Sequence, residues 1–293
     1  MPLFDRIVMV DWSAAAVPTL GRDSIWTADI AVAGGPATEI NWPTREAVMG
    51  WLQDAVEATV TAGRRMLVGL DLAFGYPRGT VARIGGGWRD LWVWLHARIE
   101  DAPDNANNRF EVAAAFNALF PEGEGPLWGR PPRPAIEGLA PTKPRPFPAG
   151  LPERRHVEGI ATGAHPTFKL AYPGSVGGQV LTGIARLEAL RRRFPGIVRV
   201  WPFETRFADA LDAPVTVAEI FPSLHRIEPR ADEVRDAAQV RTLATAYAAL
   251  DRADALRPHL AGPTDPDTRE TALREEAWIV SCGDTPMPVG PCP

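Results

Sequence analysis

Two aspartates each end an apolar stretch of the sequence, and together they suggest a site for metal chemistry. Asp11 follows the run RIVMV, and Asp71 follows the run RMLVGL. Runs of this composition are typical of strands that are buried on both faces. Carboxylates held together repel one another at neutral pH unless a hard cation such as Mg²⁺ or Mn²⁺ lies between them. The pair therefore predicts a divalent-metal site that acts on a phosphate ester.

Two further acids are expected to complete this site. Asp236 lies near the start of a predicted helix, on the side that the helix turns towards the core. That side is apolar at Val240, Leu243, Ala244 and Tyr247. Glu219 lies inside the apolar stretch VAEIFP, with Glu204 as the competing acid. We expect Asp11, Asp71 and Asp236 to bind the metal, and Glu219 to be a fourth ligand or general base.

The elements that must position these acids follow from hydrophobic periodicity and turn residues. The first quarter of the chain predicts three strands, a helix and a fourth strand. The predicted strands are 6–11, 25–33 and 38–43, followed by a helix that starts after Thr44 and ends near Gly63. The fourth predicted strand is the stretch RMLVGLDLAF, which contains Asp71. The spacing of the first three strands fits an antiparallel meander.

Regular structure is expected again on both sides of a long irregular segment. The predicted helices cover 88–100, 109–120, 177–194, 232–258 and 267–277, and the predicted strands cover 196–204 and 216–223. Strands that alternate with helices predict an α/β fold. We interpret 1–293 as a single domain that carries a helical and proline-rich insertion at about 80–180.

The irregular segment is basic although the whole protein is acidic. Nine prolines, seven Lys or Arg residues and three Asp or Glu residues lie between Trp128 and Lys169. A segment of this length without periodicity is expected to be functional or poorly ordered. We expect it to meet substrate phosphates through Arg154, Arg155 and Lys169.

Composition limits the function classes. The chain has 293 residues, 45% hydrophobic and 23% charged, with a net charge of −5. It has no apolar run long enough to span a membrane and no recognisable signal peptide, so we expect a cytoplasmic protein. Cys282 and Cys292 lack metal-ligand spacing and are expected to be free thiols. The acidic balance favours a nucleotide or a short or single-stranded nucleic acid over a long duplex as substrate.

Four short motifs carry a resemblance to a known superfamily. They are VDWSA around Asp11, GLDLAFGYP around Asp71, AEIFPSL around Glu219, and VRDAAQVRTLATAYAAL from near Asp236. Their order and spacing resemble the ribonuclease H-like fold, and more specifically the DUF429 group of predicted nucleases. The resemblance implies that the first and fourth strands are parallel neighbours, so that their acids meet. Some relatives of this type are labelled with molybdopterin guanine dinucleotide synthesis.

Two other function classes remain open from the sequence. Actin-like phosphotransferases share this type of sheet and bind ATP, although the chain from residue 195 onwards lacks a second strand meander. A protein without enzymatic activity is the other alternative, either a scaffold or a cofactor-binding protein linked to molybdopterin cofactor metabolism. Its proline-rich segment would then bind a partner with an aromatic-lined groove.

Overall fold

The computed structural model describes residues 1–120, 125–133, 135–148 and 150–283, and these residues form an α/β fold around a mixed six-stranded sheet. The strands are β1 (Arg6–Asp11), β2 (Ile25–Ala31), β3 (Thr38–Trp42), β4 (Met66–Asp71), β5 (Val198–Val200) and β6 (Val215–Glu219). The helices of the described residues are α1 (Arg45–Thr61), α2 (Trp88–His96), α3 (Arg109–Asn117), α4 (His156–Ile160), α5 (Gly177–Arg193), α6 (Arg235–Arg252) and α7 (Pro266–Thr271).

The strand order is β3-β2-β1-β4-β6-β5. The first three strands form the antiparallel meander that the sequence predicts. β4 pairs with β1 in parallel, and β6 and β5 continue the parallel half of the sheet. Parallel neighbours bring their carboxyl ends to one edge of a sheet, which is where Asp11, Asp71 and Glu219 lie.

Side-chain alternation along the strands divides the core into two layers. Val8 and Val10 of β1 face the layer that contains α1, α2, α3 and α5. Ile7 and Met9 face the opposite layer, which contains α6. A residue at the end of a strand therefore faces one helical layer or the other according to its position in this alternation.

Local sequence signals set the bounds of α1. The Thr44 side chain accepts a hydrogen bond from the backbone N–H of Ala47 at 3.2 Å and so caps the helix. Gly63 follows the last turn with a φ of 62°, a conformation that favours glycine. The predicted start and end of this helix are confirmed.

The predicted strands and helices exist, but several are shorter than expected. The predicted strand at 196–204 is limited to Val198–Val200, because the chain turns from residue 201 onwards. The predicted helix at 232–258 runs from Arg235 to Arg252. The proline-rich segment is irregular as predicted, except for the single turn of α4.

Two expectations that were based on composition can be compared with the described residues. No helix among them is both long and apolar enough to cross a bilayer. Cys282 is buried as a free thiol, and Cys292 lies outside the described residues.

Candidate functional site

The register of β1 and β4 places Asp11 and Asp71 directly side by side. The two residues are Cα partners in the parallel ladder, and neighbouring strands lie about 4.8 Å apart. Partners in a ladder point to the same face of a sheet. Alternation from Met9 places both carboxyl groups on the face covered by α6.

Asp236 joins this pair from the helix that packs on the same face. It is the second residue of α6, and its carboxylate accepts a 2.7 Å hydrogen bond from the backbone N–H of Asp23. Its charge acts on both Asp11 and Asp71. Two strands and one helix thus contribute one acid each to a common electrostatic group, which we call the acid cluster.

The acid cluster holds protons more tightly than isolated carboxyl groups do. Burial, followed by the charges of Asp71 and Asp236, raises the pKa of Asp11 well above its usual value. Burial and the charges of Glu219 and Asp236 raise the pKa of Asp71 to about 7. Burial also raises the pKa of Asp236. A cation between these groups would replace the protons and remove the repulsion.

Asp11 and Asp71 are the residues of the site that could bind a metal ion. No group of three His, Cys, Asp or Glu side chains converges closely enough to hold a metal ion in the described ranges. Mg²⁺ commonly takes only one or two protein carboxylates and completes its shell with water and substrate phosphate. Asp11 and Asp71 supply two such oxygen ligands, with Asp236 beside them.

Glu219 lies at the same edge of the sheet but on the other face. Its ladder partner is Leu70, whose side chain packs in the α5 layer. Both of its carboxylate oxygens bind the Arg155 guanidinium, at 2.6 and 2.8 Å, and one also accepts from the Phe74 N–H. Burial raises the pKa of Glu219, and Arg155 opposes that rise. Arg155 thus occupies both carboxylate oxygens of Glu219, while the charge of Glu219 still acts on Asp71.

Glu204, the competing acid, is also bound to cations away from the cluster. Its carboxylate accepts hydrogen bonds from Arg89 at 2.9 Å and Arg191 at 3.4 Å. It also accepts from the backbone N–H of Val200 at 3.0 Å.

The three cations expected to bind substrate do not form one surface. Arg155 is 2% exposed and also binds Glu158 and the carbonyl of Glu276, so its donors are occupied. Arg154 is exposed and donates to the carbonyl of Ala164. Lys169 donates to the carbonyl of Pro173. Arg155 thus has a structural role that its position in a basic run did not indicate.

The loop that follows Asp11 is held from two helices. Arg45, the first residue of α1, is fully buried and donates to the carbonyls of Ser13 and Ala15. Its charge is balanced by Asp101 at 2.6 Å. Gln179 of α5 donates to the carbonyl of Trp12. These contacts fix the backbone on the carboxyl side of the β1 acid.

The loop that follows Asp71 is held by the segment after α7. Glu275 accepts from the backbone N–H of Gly79 at 2.9 Å, and Glu276 accepts from the N–H of Arg78 at 2.7 Å. Both glutamates are buried. A side chain at Gly75 would collide with the backbone of this segment.

Sequence reasoning missed the residues that surround Asp236. A cavity of about 790 Å³ lies beside it and is lined by Arg22, Asp23 and Arg235 among others. The segment that contains Arg22 lies between the first two predicted strands and matches neither strand nor helix periodicity. The available signals were a charged pair directly after the Gly21 turn and an arginine directly before the helix acid.

Comparison with protein-family models, with curated proteins and with solved structures gave no significant match.

Proposed function

We propose that this protein is a divalent-metal-dependent hydrolase of a phosphodiester or nucleotide bond, with a ribonuclease H-like fold. The observation that carries the proposal is the side-by-side placement of Asp11 and Asp71 at the carboxyl ends of adjacent parallel strands. The antiparallel meander followed by a parallel fourth strand beside β1 supports the fold assignment. The acid on α6 faces the same side of the sheet.

Each residue has a defined part in this proposal. Asp11 and Asp71 would hold the cation, and Asp236 would add negative charge beside it. A bound Mg²⁺ or Mn²⁺ supplies an activated water and stabilises the leaving oxygen. Glu219 is not proposed as ligand or base, because both of its oxygens are bound to Arg155.

The fixed backbone around the strand acids supports a preorganised site. Arg45 holds the loop after Asp11, and Glu275 and Glu276 hold the loop after Asp71. Catalytic groups that are already in place lose little conformational freedom when substrate binds.

The direct test is isothermal titration of Mn²⁺ into the wild type and into the Asp11→Asn/Asp71→Asn variant. We expect saturable binding by the wild type and none by the variant. Asp54→Asn is the matched control, because Asp54 is an exposed acid on α1. Equal binding by the wild type and the double variant would refute the metal site.

Activity is tested separately with bis(p-nitrophenyl) phosphate, a phosphodiester without a base. Hydrolysis should require Mg²⁺ or Mn²⁺, stop in EDTA and be lost in Asp71→Asn. Metal binding without any metal-dependent hydrolysis of phosphate esters would contradict the assigned reaction and leave only a cation site.

A further inference from the structure

The cavity beside Asp236 combines an opening of substrate size with two arginines that form no salt bridge with the residues that the structure describes. Its volume is about 790 Å³, within the range of small-ligand sites. Arg22 lines it from the turn before β2, and Arg235 lines it from the first position of α6. The two guanidinium groups both act on the charge of Asp236, the second residue of α6.

Neither guanidinium is used by the fold. Arg22 and Arg235 are exposed, and neither makes a hydrogen bond or ion pair within the described ranges of the chain. Another charged group of the same cavity is already neutralised, since Glu233 binds Arg241 at 2.7 Å. The cavity therefore offers two cations to a ligand, beside the acids Asp23, Asp232 and Asp236 of the same lining.

The backbone that presents these arginines is fixed on both sides. The turn around Arg22 is held by a 2.7 Å bond from the Gly21 N–H to the Asn41 side chain. The next residue, Asp23, donates its N–H to Asp236 and accepts from the Ser13 hydroxyl at 3.0 Å. Arg235 is the first residue of an 18-residue helix whose core face is buried. Both side chains thus start from positions set by the acid cluster itself.

The chemistry of the lining indicates the class of ligand. Arginine binds phosphate through two parallel N–H donors, which makes it suited to a terminal phosphate. Ile227, Pro229 and Val234 provide an apolar wall. Phe, Tyr and Trp are missing from the lining residues of this cavity that the structure describes, so a stacked base is not required.

We propose that Arg22 and Arg235 bind the phosphate group of a mononucleotide-sized phosphate ester in this cavity, next to the acid cluster. This inference rests on the proposed function for the reaction, but the binding step is separate from it. It replaces the basic insertion, with Arg154 and Lys169, as the phosphate-binding element. It also narrows the substrate class from a nucleotide or a short nucleic acid to a small phosphate ester.

The binding test uses AMP and adenosine as probes, in EDTA and in Mg²⁺. We expect the wild type to bind AMP at least tenfold more tightly than adenosine in at least one of these conditions. In that condition Arg22→Ala and Arg235→Ala should each lose about tenfold in AMP affinity, and the double variant should lose the preference for AMP. Arg226→Ala is the matched control, because Arg226 is exposed and pairs with Glu228 at 2.9 Å.

The outcomes separate this inference from the proposed function. Unchanged Mn²⁺ titration in both arginine variants, together with lost AMP binding, supports the phosphate site. No AMP preference in the wild type in either condition, or equal AMP affinity in wild type and double variant, overturns it. If the wild type binds no Mn²⁺ but AMP binding still depends on the arginines, the hydrolase proposal fails and the phosphate site stands.

The dependence of affinity on substrate length is a second, independent test of this proposal. Affinity for oligothymidylate should reach its limit at one or two nucleotides, with a shallow salt dependence, because two arginines contact few phosphates. Affinity that keeps rising from two to ten nucleotides would show an extended nucleic-acid surface and overturn the assignment to a small ester.

Discussion

At the scale of single residues, Asp11 and Asp71 form the candidate site but lower the stability of the metal-free protein when they lose their protons. The pKa of Asp71 is raised from its usual value of 3.8 to about 7 by burial and by neighbouring carboxylates. Between these pH values the folded protein keeps a proton that the unfolded chain has released. Stability of the metal-free protein therefore falls as the pH rises through this window.

Asp71→Asn should stabilise the metal-free protein above pH 7 by about 1–2 kcal/mol, since the amide removes the buried charge. Urea unfolding in EDTA from pH 4 to 8 measures the effect. The difference in the free energy of unfolding between variant and wild type should disappear as the pH falls towards 4. Asp54→Asn should show no such pH-dependent gap, and a less stable Asp71→Asn at pH 8 would contradict the prediction.

Arg155 is the residue whose loss should be most damaging outside the candidate site. Arg155→Met leaves Glu158 and Glu219 buried without their cation, which costs about 3–5 kcal/mol. Because burial raises the pKa of both glutamates, the variant should regain stability as the pH falls and they take up protons. Thermal unfolding from pH 8 to 5 measures this.

Arg154→Met serves as the neighbouring control for this prediction. The Arg154 side chain is exposed and donates a hydrogen bond to the carbonyl of Ala164. It should change the free energy of unfolding by less than about 0.5 kcal/mol. Equal losses in the two variants would show that the buried cation is not what holds β6 to α4.

At the scale of elements, the segment after α7 closely approaches the loop that follows Asp71. Gly75 leaves no room for a Cβ against the backbone of Glu275 and Glu276. Gly50, in the middle of α1, has open space at the same position. The two glycines therefore form a matched pair for substitution by alanine.

Gly75→Ala should destabilise the protein by about 1–3 kcal/mol and weaken Mn²⁺ binding, because the loop must move. Gly50→Ala should stabilise it by about 0.5–1 kcal/mol, because alanine favours a helix, and should leave Mn²⁺ binding unchanged. Chemical unfolding and titration on the same samples measure both effects. Wild-type Mn²⁺ affinity in Gly75→Ala would show that this contact does not position the strand acid.

At the scale of the whole molecule, the two helical layers share one sheet and should unfold together. Leu187 of α5 and Leu243 of α6 are buried on opposite faces of that sheet. Each substitution by alanine should cost about 2–5 kcal/mol. Amide hydrogen exchange in both α5 and α6 should accelerate by the same factor in either variant. Acceleration confined to the layer that carries the substitution would indicate two separately unfolding units.

The parts of this molecule that were predictable from sequence are those fixed by local patterns. The apolar run that ends on Asp11 predicted β1 at its observed bounds, and Thr44 predicted the start of α1. The stretch RMLVGLDLAF predicted β4, but the observed strand ends at Asp71. The apolar side of α6 correctly placed Asp236 towards the sheet. These signals depend on neighbouring residues and on strand and helix periodicity.

The remaining features depend on contacts between distant parts of the chain. Glu219 follows an apolar strand just as the two aspartates do, and only the ladder with β4 shows that it faces the other layer. Arg155 looks like one cation of a basic run, yet tertiary packing encloses it between two glutamates. The cavity beside Asp236 forms where the turn before β2 contacts α6. No local sequence pattern predicts that contact.

The contacts of Glu275 and Glu276 with the loop after Asp71 have a consequence for synthesis of the protein. β1 and β4 leave the ribosome before the glutamates that hold the loop after Asp71, because Glu276 lies 198 residues after its partner Arg78. Nascent chains that lack this segment would carry both aspartates without their full support. The hydrolytic activity that we propose would then be withheld until Glu275 and Glu276 have left the ribosome.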